Sequence, residues 1–254
     1  GSRFPKLDAY SVIEIINKHL SPNDFEDCLI VEKFINSIRY IRSCNQLKSS
    51  LLKRFNNSTY EFYNLLRWNY CKGKEEVDYD YQNYNPFKVK ELTTVFQFEN
   101  KKECDAFICK FKSLITNRKL NNKESLYQSV SFLIGHILRK DICLGSYFFK
   151  LILRCTAGSF NLGQMLYPLA YDDKHNWSHE LCAIKNILRR SRNQYKYKLL
   201  IEYYAIVPGA YLVSNDLTIL LKSIRSYKSS DRLYISPSQF TKFNEISKDG
   251  FTVV

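Results

Sequence analysis

Residues 122–140 read NKESLYQSVSFLIGHILRK and carry the clearest helical period in the chain. Counted from the first apolar residue of the stripe, the others fall 4, 7, 8, 11 and 12 positions later. This spacing matches the 3.6-residue repeat of an α-helix and places the whole set on one face. The set is Leu126, Val130, Leu133, Ile134, Ile137 and Leu138. The segment therefore predicts a helix with one face in a hydrophobic core.

Similar apolar spacing recurs on both sides of this segment, so the sequence predicts an all-α fold. We expect a compact array of about nine to ten helices, with consecutive helices forming antiparallel pairs. Residues 147–155 are nearly continuously apolar and predict a helix near the centre of that array. Residues 92–98, LTTVFQF, have the composition of a strand, and they predict at most a minor β element because no partner strand is recognisable.

Changes in composition along the chain suggest its division into parts. Residues 3–70 are predicted to form an N-terminal helical part, and residues 71–90 an exposed loop or subdomain boundary. The main helical part spans residues 91–228 and includes a basic helix at 177–204, whereas the polar segment 229–254 contains Pro237 and predicts an irregular tail. Gly1 and Ser2 resemble an expression scar, which suggests a fragment of a longer protein.

The composition favours a packed protein inside the cell. Apolar residues make up 45% of the 254, enough for a core without staples, and no apolar run is long enough to span a bilayer. The eight cysteines are spread along the chain, so we expect free thiols in a reducing compartment, nuclear or cytoplasmic. The formal charge of +13 attracts anions, which fits nucleic acid, an acidic protein segment or an anionic membrane surface.

A basic run near residue 190 is the best candidate for a binding site. Between residues 185 and 198 there are six basic residues, two tyrosines and no acidic residue. On one helix, cations at spacings of three or four would line a single face, although many such stripes are only solvated surface. The candidate contacts for a protein partner or nucleic acid are Lys185, Arg189, Arg190, Arg192, Tyr195, Lys196, Tyr197 and Lys198. Basic residues at 101–119 would extend this surface if the helices that carry them are adjacent.

Two further groups of residues are weaker candidates. His175, His179 and Cys182 have a helical spacing that would bring three metal-binding side chains to one face, but no paired Cys-x-x-Cys accompanies them. Core packing explains most of the aromatic residues. The tyrosines at 79, 81 and 84 are different, because they lie in a polar segment where they would be available as interface anchors: Tyr79, Tyr81 and Tyr84.

The sequence predicts no cofactor and no catalytic residues. Gly158-Ser159 followed by Asp172-Asp173 only loosely resembles the metal-binding pattern of nucleotidyltransferases, and no phosphate-binding glycine loop is present. We therefore expect a non-enzymatic helical scaffold or adaptor domain in an intracellular assembly, with the nucleus favoured. It would bind protein partners through an apolar groove or its basic face. The alternative is direct RNA or DNA binding through the basic stripe at 185–198.

Overall fold

A computed structural model describes residues 9–38, 44–67, 92–120, 123–155, 162–212, 214–231 and 233–248. Within these ranges the chain is all-helical and contains no strand, which confirms the predicted fold class. Thirteen helices are present there, more than the nine to ten that the sequence predicted. The additional helices are the short turn at 92–95, the helix Gly163–Ala170 and the helix Pro237–Lys248, none of which was predicted as a separate helix.

The bounds of the first six helices are as follows: α1 Ala9–His19, α2 Phe25–Ser37, α3 Asn45–Arg54, α4 Ser58–Leu66, α5 residues 92–95 and α6 Lys101–Thr116. The remaining seven follow: α7 Glu124–Lys140, α8 Ile142–Cys155, α9 Gly163–Ala170, α10 Ser178–Arg190, α11 Lys196–Ile206, α12 Ser214–Ser226 and α13 Pro237–Lys248. The chain divides into two units, Gly1–Leu65 and Leu66–Val254. The predicted boundary segment at 71–90 lies outside the described residues.

The first unit contains α1 to α3 and most of α4. Helices α1 and α2 both pack on α3. Asp24 is the N-cap of α2, where its carboxylate accepts hydrogen bonds from the backbone N–H groups of Glu26 and Asp27. A side-chain oxygen at this position satisfies donors that have no partner inside the helix. The apolar side chains Cys28 and Val31 then point into the core of the unit.

The segment 92–98, for which the sequence predicted at most a minor β element, forms no strand. Residues 92–95 are helical, and the backbone N–H of Phe96 donates to the carbonyl oxygen of Leu92 at 2.8 Å. The Phe96 and Phe98 rings lie 5.2 and 5.4 Å from that of Phe107 on α6. Without a partner strand, the backbone finds its hydrogen bonds locally, and the two phenylalanines, both half-buried, pack against the buried Phe107.

The second unit is built around α7. All six residues of its predicted apolar face are buried, and the helix packs on both α8 and α9. The chain turns directly from α7 into α8 at Asp141. A Cβ at Gly145 would lie 2.7 Å from backbone atoms of Leu138, so only glycine allows the two helices to approach this closely.

The segment predicted to be an irregular tail contains α13. Pro237 is its first residue, a position where the missing N–H costs nothing. The Ser236 hydroxyl accepts from the backbone N–H of Gln239 at 3.2 Å, and the Gln239 side chain accepts from the N–H of Ser236 at 3.2 Å. This reciprocal capping box starts the helix, and α13 packs on α12. The prediction of an irregular tail was wrong because it treated Pro237 as a residue that breaks a helix, whereas here it begins one.

None of the helices in the described ranges has both the length and the apolar character needed to cross a membrane. The seven cysteines in these ranges are free thiols, of which Cys28 and Cys104 are buried.

Candidate functional site

The predicted basic helix at 177–204 consists of two helices. Helix α10 ends at Arg190, and its C-cap residue Ser191 has an extended backbone with ψ of 142°. The next helix starts at Lys196, so Arg192 lies in the connecting turn. The cations at 185–196 therefore do not form one helical stripe.

Asn193 fixes the turn between α10 and α11. Its side-chain oxygen accepts from the N–H of Tyr195 at 2.8 Å, and its backbone N–H donates to the Ser191 hydroxyl at 3.0 Å. Its amide nitrogen donates to the carbonyl oxygen of Leu153 on α8 at 2.8 Å. These bonds tie the turn to the C-terminal end of α8 and hold Arg192 close to that helix.

Lys198 is not available to a partner, which corrects its place in the predicted site. Its side chain is 0% exposed, and its Nζ lies 3.0 Å from Oε1 of Glu202, which is also 0% exposed. The ammonium also sits over the ring of Tyr234, 4.6 Å from the centroid. Helix α11 is apolar on nearly every side and is buried in the unit, so a lysine on it is retained only with a charged partner.

Lys185 and Arg189 lie on the side of α10 that faces Asp216 of α12. The Nζ of Lys185 is 2.9 Å from Oδ2 of Asp216, whose Oδ1 accepts a hydrogen bond from the hydroxyl of Tyr204 at 3.0 Å. Burial and this hydrogen bond raise the pKa of Tyr204, and the positive charge of Arg189 opposes the rise. Lys185 is thus already neutralised by a carboxylate inside the protein.

Arg190 and Arg192 line a groove between α8 and α10. The groove has a volume of about 1040 Å³, and Lys150 and Arg154 line its other wall. The remaining lining residues, all polar or apolar and uncharged, are Ser146, Leu153, Ala183, Asn186, Ile187, Ser191, Asn193 and Gln194. We call this feature the basic groove. Its size is at the upper end of the range typical of ligand-binding clefts.

The basic groove has an apolar floor and a cationic rim. Leu153 and Ile187 are buried, whereas Lys150, Arg154 and Arg190 are exposed. The residues at 146, 150, 153 and 154 share one face of α8, and those at 183, 186, 187 and 190 share one face of α10. Side chains from two adjacent helices therefore form the groove, and small residues at 146 and 183 leave one part of it open.

None of the residues that line the groove, all of them in the described ranges, is acidic. Lys150, Arg154, Arg190 and Arg192 form no ion pair with any described residue. Unpaired cations on the walls of a concave surface concentrate positive potential in it. Arginines in the last turns of α8 and α10 are also favoured by the negative end of each helix dipole, which explains why these positions tolerate them.

Lys150 and Arg154 were not among the residues predicted from the sequence. Both lie in residues 147–155, a segment from which only a central apolar helix was predicted. Their spacing of four residues on an otherwise apolar helix was the available signal, because it puts two charges on one narrow exposed face.

The other predicted contacts lie elsewhere. Tyr195, Lys196 and Tyr197 are half-buried and do not line the groove. The loop tyrosines at 79, 81 and 84 lie outside the described residues. Helix α8 packs on α6 as well as on α10, and burial raises the pKa of Cys155 to about 11, a rise that the ammonium of Lys112 opposes. At least one cation of the 101–119 set is therefore within electrostatic reach of the C-terminal end of α8.

The metal candidate is not assembled. His175 precedes α10 and stacks edge-to-face on Trp177, so it does not share a helical face with His179 and Cys182. Hydrogen bonds from the Trp177 indole at 2.8 Å and from backbone N–H groups lower the pKa of Asp172. Across the described ranges, no group of three His, Cys, Asp or Glu side chains has the arrangement of a metal site.

Comparisons with protein-family models, with curated proteins and with solved structures gave no match.

Proposed function

We propose that this chain is a non-enzymatic helical adaptor domain that holds an acidic segment of a protein partner in the basic groove. The observation that carries the proposal is the set of four cations without a carboxylate partner among the described residues, arranged around an apolar floor. The proposal keeps the intracellular setting expected from the sequence, nuclear or cytoplasmic, and assigns no catalytic residue.

The floor of the groove favours a polypeptide over a nucleic acid. Leu153 and Ile187, which are 4% and 8% exposed, give the groove a narrow apolar floor between the charged walls. A peptide with alternating acidic and apolar residues complements both features, whereas a phosphodiester backbone complements only the charge. The paired state of Lys185 and the burial of Lys198 also remove two cations from the continuous track that a nucleic acid would follow.

The basic groove fits the proposal better than an apolar docking surface does. Large apolar side chains that are exposed lie on different elements, and single exposed apolar residues are normal on protein surfaces. They are Ile15, Ile30, Leu52, Val95, Tyr171 and Leu212. We therefore assign the partner to the basic face.

RNA or DNA binding is the second candidate, and the overall charge of +13 supports it. Nucleic acid affinity that comes mainly from phosphate contacts is sequence-independent and falls steeply with salt. In this case the groove and the exposed cations of α6 would act together, so loss of two groove arginines would weaken binding only in part.

Fluorescence anisotropy with a fluorescein-labelled peptide of repeated Leu-Glu-Glu units tests the proposal. The intact chain is compared with Arg190→Gln/Arg192→Gln and with the control Lys228→Gln/Lys242→Gln, which removes the same charge from exposed positions outside the groove. We expect binding at about 150 mM salt that only the arginine pair abolishes. Equal binding by both double variants contradicts the proposal. Tighter binding of single-stranded RNA than of the peptide, with only a partial loss in the arginine variant, favours the second candidate.

A further inference from the structure

The basic groove is not uniform along its length. Asn193, which follows α10, donates to the carbonyl oxygen of Leu153 near the end of α8 at 2.8 Å. The C-terminal ends of the two helices therefore lie at the same end of the groove. That end, which we call the arginine end, carries Arg154, Arg190 and Arg192, and Lys150 lies one turn before it on α8.

The charge at the arginine end exceeds what one carboxylate can neutralise. Three guanidinium groups line it, no acidic residue lines the groove, and none of the three arginines pairs with a carboxylate in the described ranges. A glutamate brings a single negative charge and two acceptor oxygens. A phosphate monoester brings about −1.5 to −2 at neutral pH, with three strong acceptor oxygens that match the planar fork of arginine.

We infer that the acidic segment carries a phosphorylated serine or threonine, and that this phosphate binds at the arginine end while an apolar neighbour packs on Leu153 and Ile187. This inference rests on the proposed function and specifies the chemistry of its ligand. Polar side chains beside the arginines, Asn186 and Ser191, supply neutral groups that can contact the remaining phosphate oxygens or the peptide backbone.

A phosphodiester fits the arginine end less well than a phosphate monoester does. Each phosphate of a nucleic acid carries one charge and is flanked by sugars on both sides, so only part of it can enter a groove whose floor is apolar. A phosphoserine side chain projects from its backbone and can reach the arginines while the flanking residues stay on the floor. RNA is nevertheless kept as an arm of the test.

The test uses three labelled peptides that differ at one central position within the same Leu-Glu-Glu background: phosphoserine, glutamate and serine. Binding is measured by anisotropy with the full chain. We expect the phosphoserine peptide to bind at least about tenfold tighter than the glutamate peptide, the factor that corresponds to one charge-assisted hydrogen bond. Arg190→Lys/Arg192→Lys keeps the charge but removes the forks, so it should lose most of this preference. Lys228→Gln/Lys242→Gln should retain it.

The outcomes separate the inference from the proposed function. If the phosphoserine and glutamate peptides bind equally well, the phosphate inference is overturned and the acidic-segment proposal stands. If no peptide binds, both are overturned. If inorganic phosphate competes as strongly as the unlabelled phosphopeptide, or if single-stranded RNA binds more tightly than every peptide, the phosphopeptide assignment fails. Thermal unfolding of each arginine variant is measured as a control. An unfolding temperature equal to that of the wild type shows that a loss of binding does not come from a loss of fold.

Discussion

Replacement of Lys198 by Met should destabilise the protein strongly, because it leaves a buried carboxylate without its counterion. Lys198 and Glu202 are both 0% exposed, and their charged atoms lie 3.0 Å apart. Oε1 of Glu202 also accepts from the backbone N–H of Tyr234 at 2.8 Å, whereas its Oε2 has no hydrogen-bond partner among the described residues. Lys198 is therefore the only described cation that compensates the Glu202 charge.

Removal of one partner of a buried ion pair costs about 3–5 kcal/mol. The hydrogen bond from Tyr234 remains in Lys198→Met, so we expect a loss near the lower limit, about 3 kcal/mol. The double variant Lys198→Met/Glu202→Leu removes both charges and leaves the N–H of Tyr234 without its Glu202 acceptor. Its expected loss is about 1 kcal/mol, the low end of the cost of one unsatisfied buried donor.

The loss in Lys198→Met should depend on pH. Burial raises the pKa of Glu202 in the folded protein, against the attraction of Lys198, so removal of the lysine raises it further. The folded variant then holds its proton more tightly than the unfolded chain, where the pKa is about 4.3. Its stability relative to the wild type is consequently highest below about pH 4.3 and falls as the pH rises through the higher folded pKa.

Urea unfolding followed by circular dichroism, from about pH 4 to pH 7, measures these differences. The reasoning is refuted if Lys198→Met lies within about 1 kcal/mol of the wild type at neutral pH. It is also refuted if the difference does not change with pH, or if the double variant is less stable than the single one.

Three other substitutions test the packing and the backbone of the fold. Gly145→Ala would place a Cβ 2.7 Å from backbone atoms of Leu138, and we expect a loss of about 2–3 kcal/mol in urea unfolding. Gly135→Ala is the control, because a Cβ there would lie 3.2 Å from the carbonyl oxygen of Met165, a less severe contact. An equal loss of stability in that variant would contradict the predicted clash at Gly145. Gly209 has φ of 67°, a left-handed conformation that disfavours a side chain, so Gly209→Ala should lower the free energy of unfolding by about 1–2 kcal/mol. An unchanged urea midpoint would contradict this prediction. Asp24→Ala removes the N-cap of α2, and we expect the local stability of that helix to fall by about 1 kcal/mol. Amide hydrogen exchange should become faster in the first turn of α2 and stay unchanged in α12.

The fold class was predictable because local periodicity dominates in the core helices. The apolar face of residues 126–138 was identified from spacing alone, and every member is buried. The helix ends were harder to predict. Residues 191–194, SRNQ, contain no glycine or proline. Local bonds of Asn193 to Ser191 and Tyr195 shape the turn there, but its position is also fixed by the bond from Asn193 to Leu153, forty positions away in the sequence. A contact of that range leaves no local signal.

The candidate site was only partly predictable for the same reason. Arg190 and Arg192 were among the predicted contacts, but the wall that faces them comes from α8, and no spacing rule joins residues 150–154 to 183–194. Lys198 was misplaced although a warning was present in the sequence. The helix around it, KYKLLIEYYAI, is apolar on nearly all sides, and the glutamate four residues later is the partner that a buried lysine requires.

Photo-crosslinking tests the central claim most directly. The Leu-Glu-Glu peptide, with a benzophenone group at its centre, is irradiated with the full chain at about 150 mM salt, and the adducts are located by mass spectrometry. The account predicts adducts on residues 146–154 and 183–194, with loss of these adducts in Arg190→Gln/Arg192→Gln. Adducts on α6 or α13 with none in the groove, or groove adducts that persist in the double variant, would contradict it.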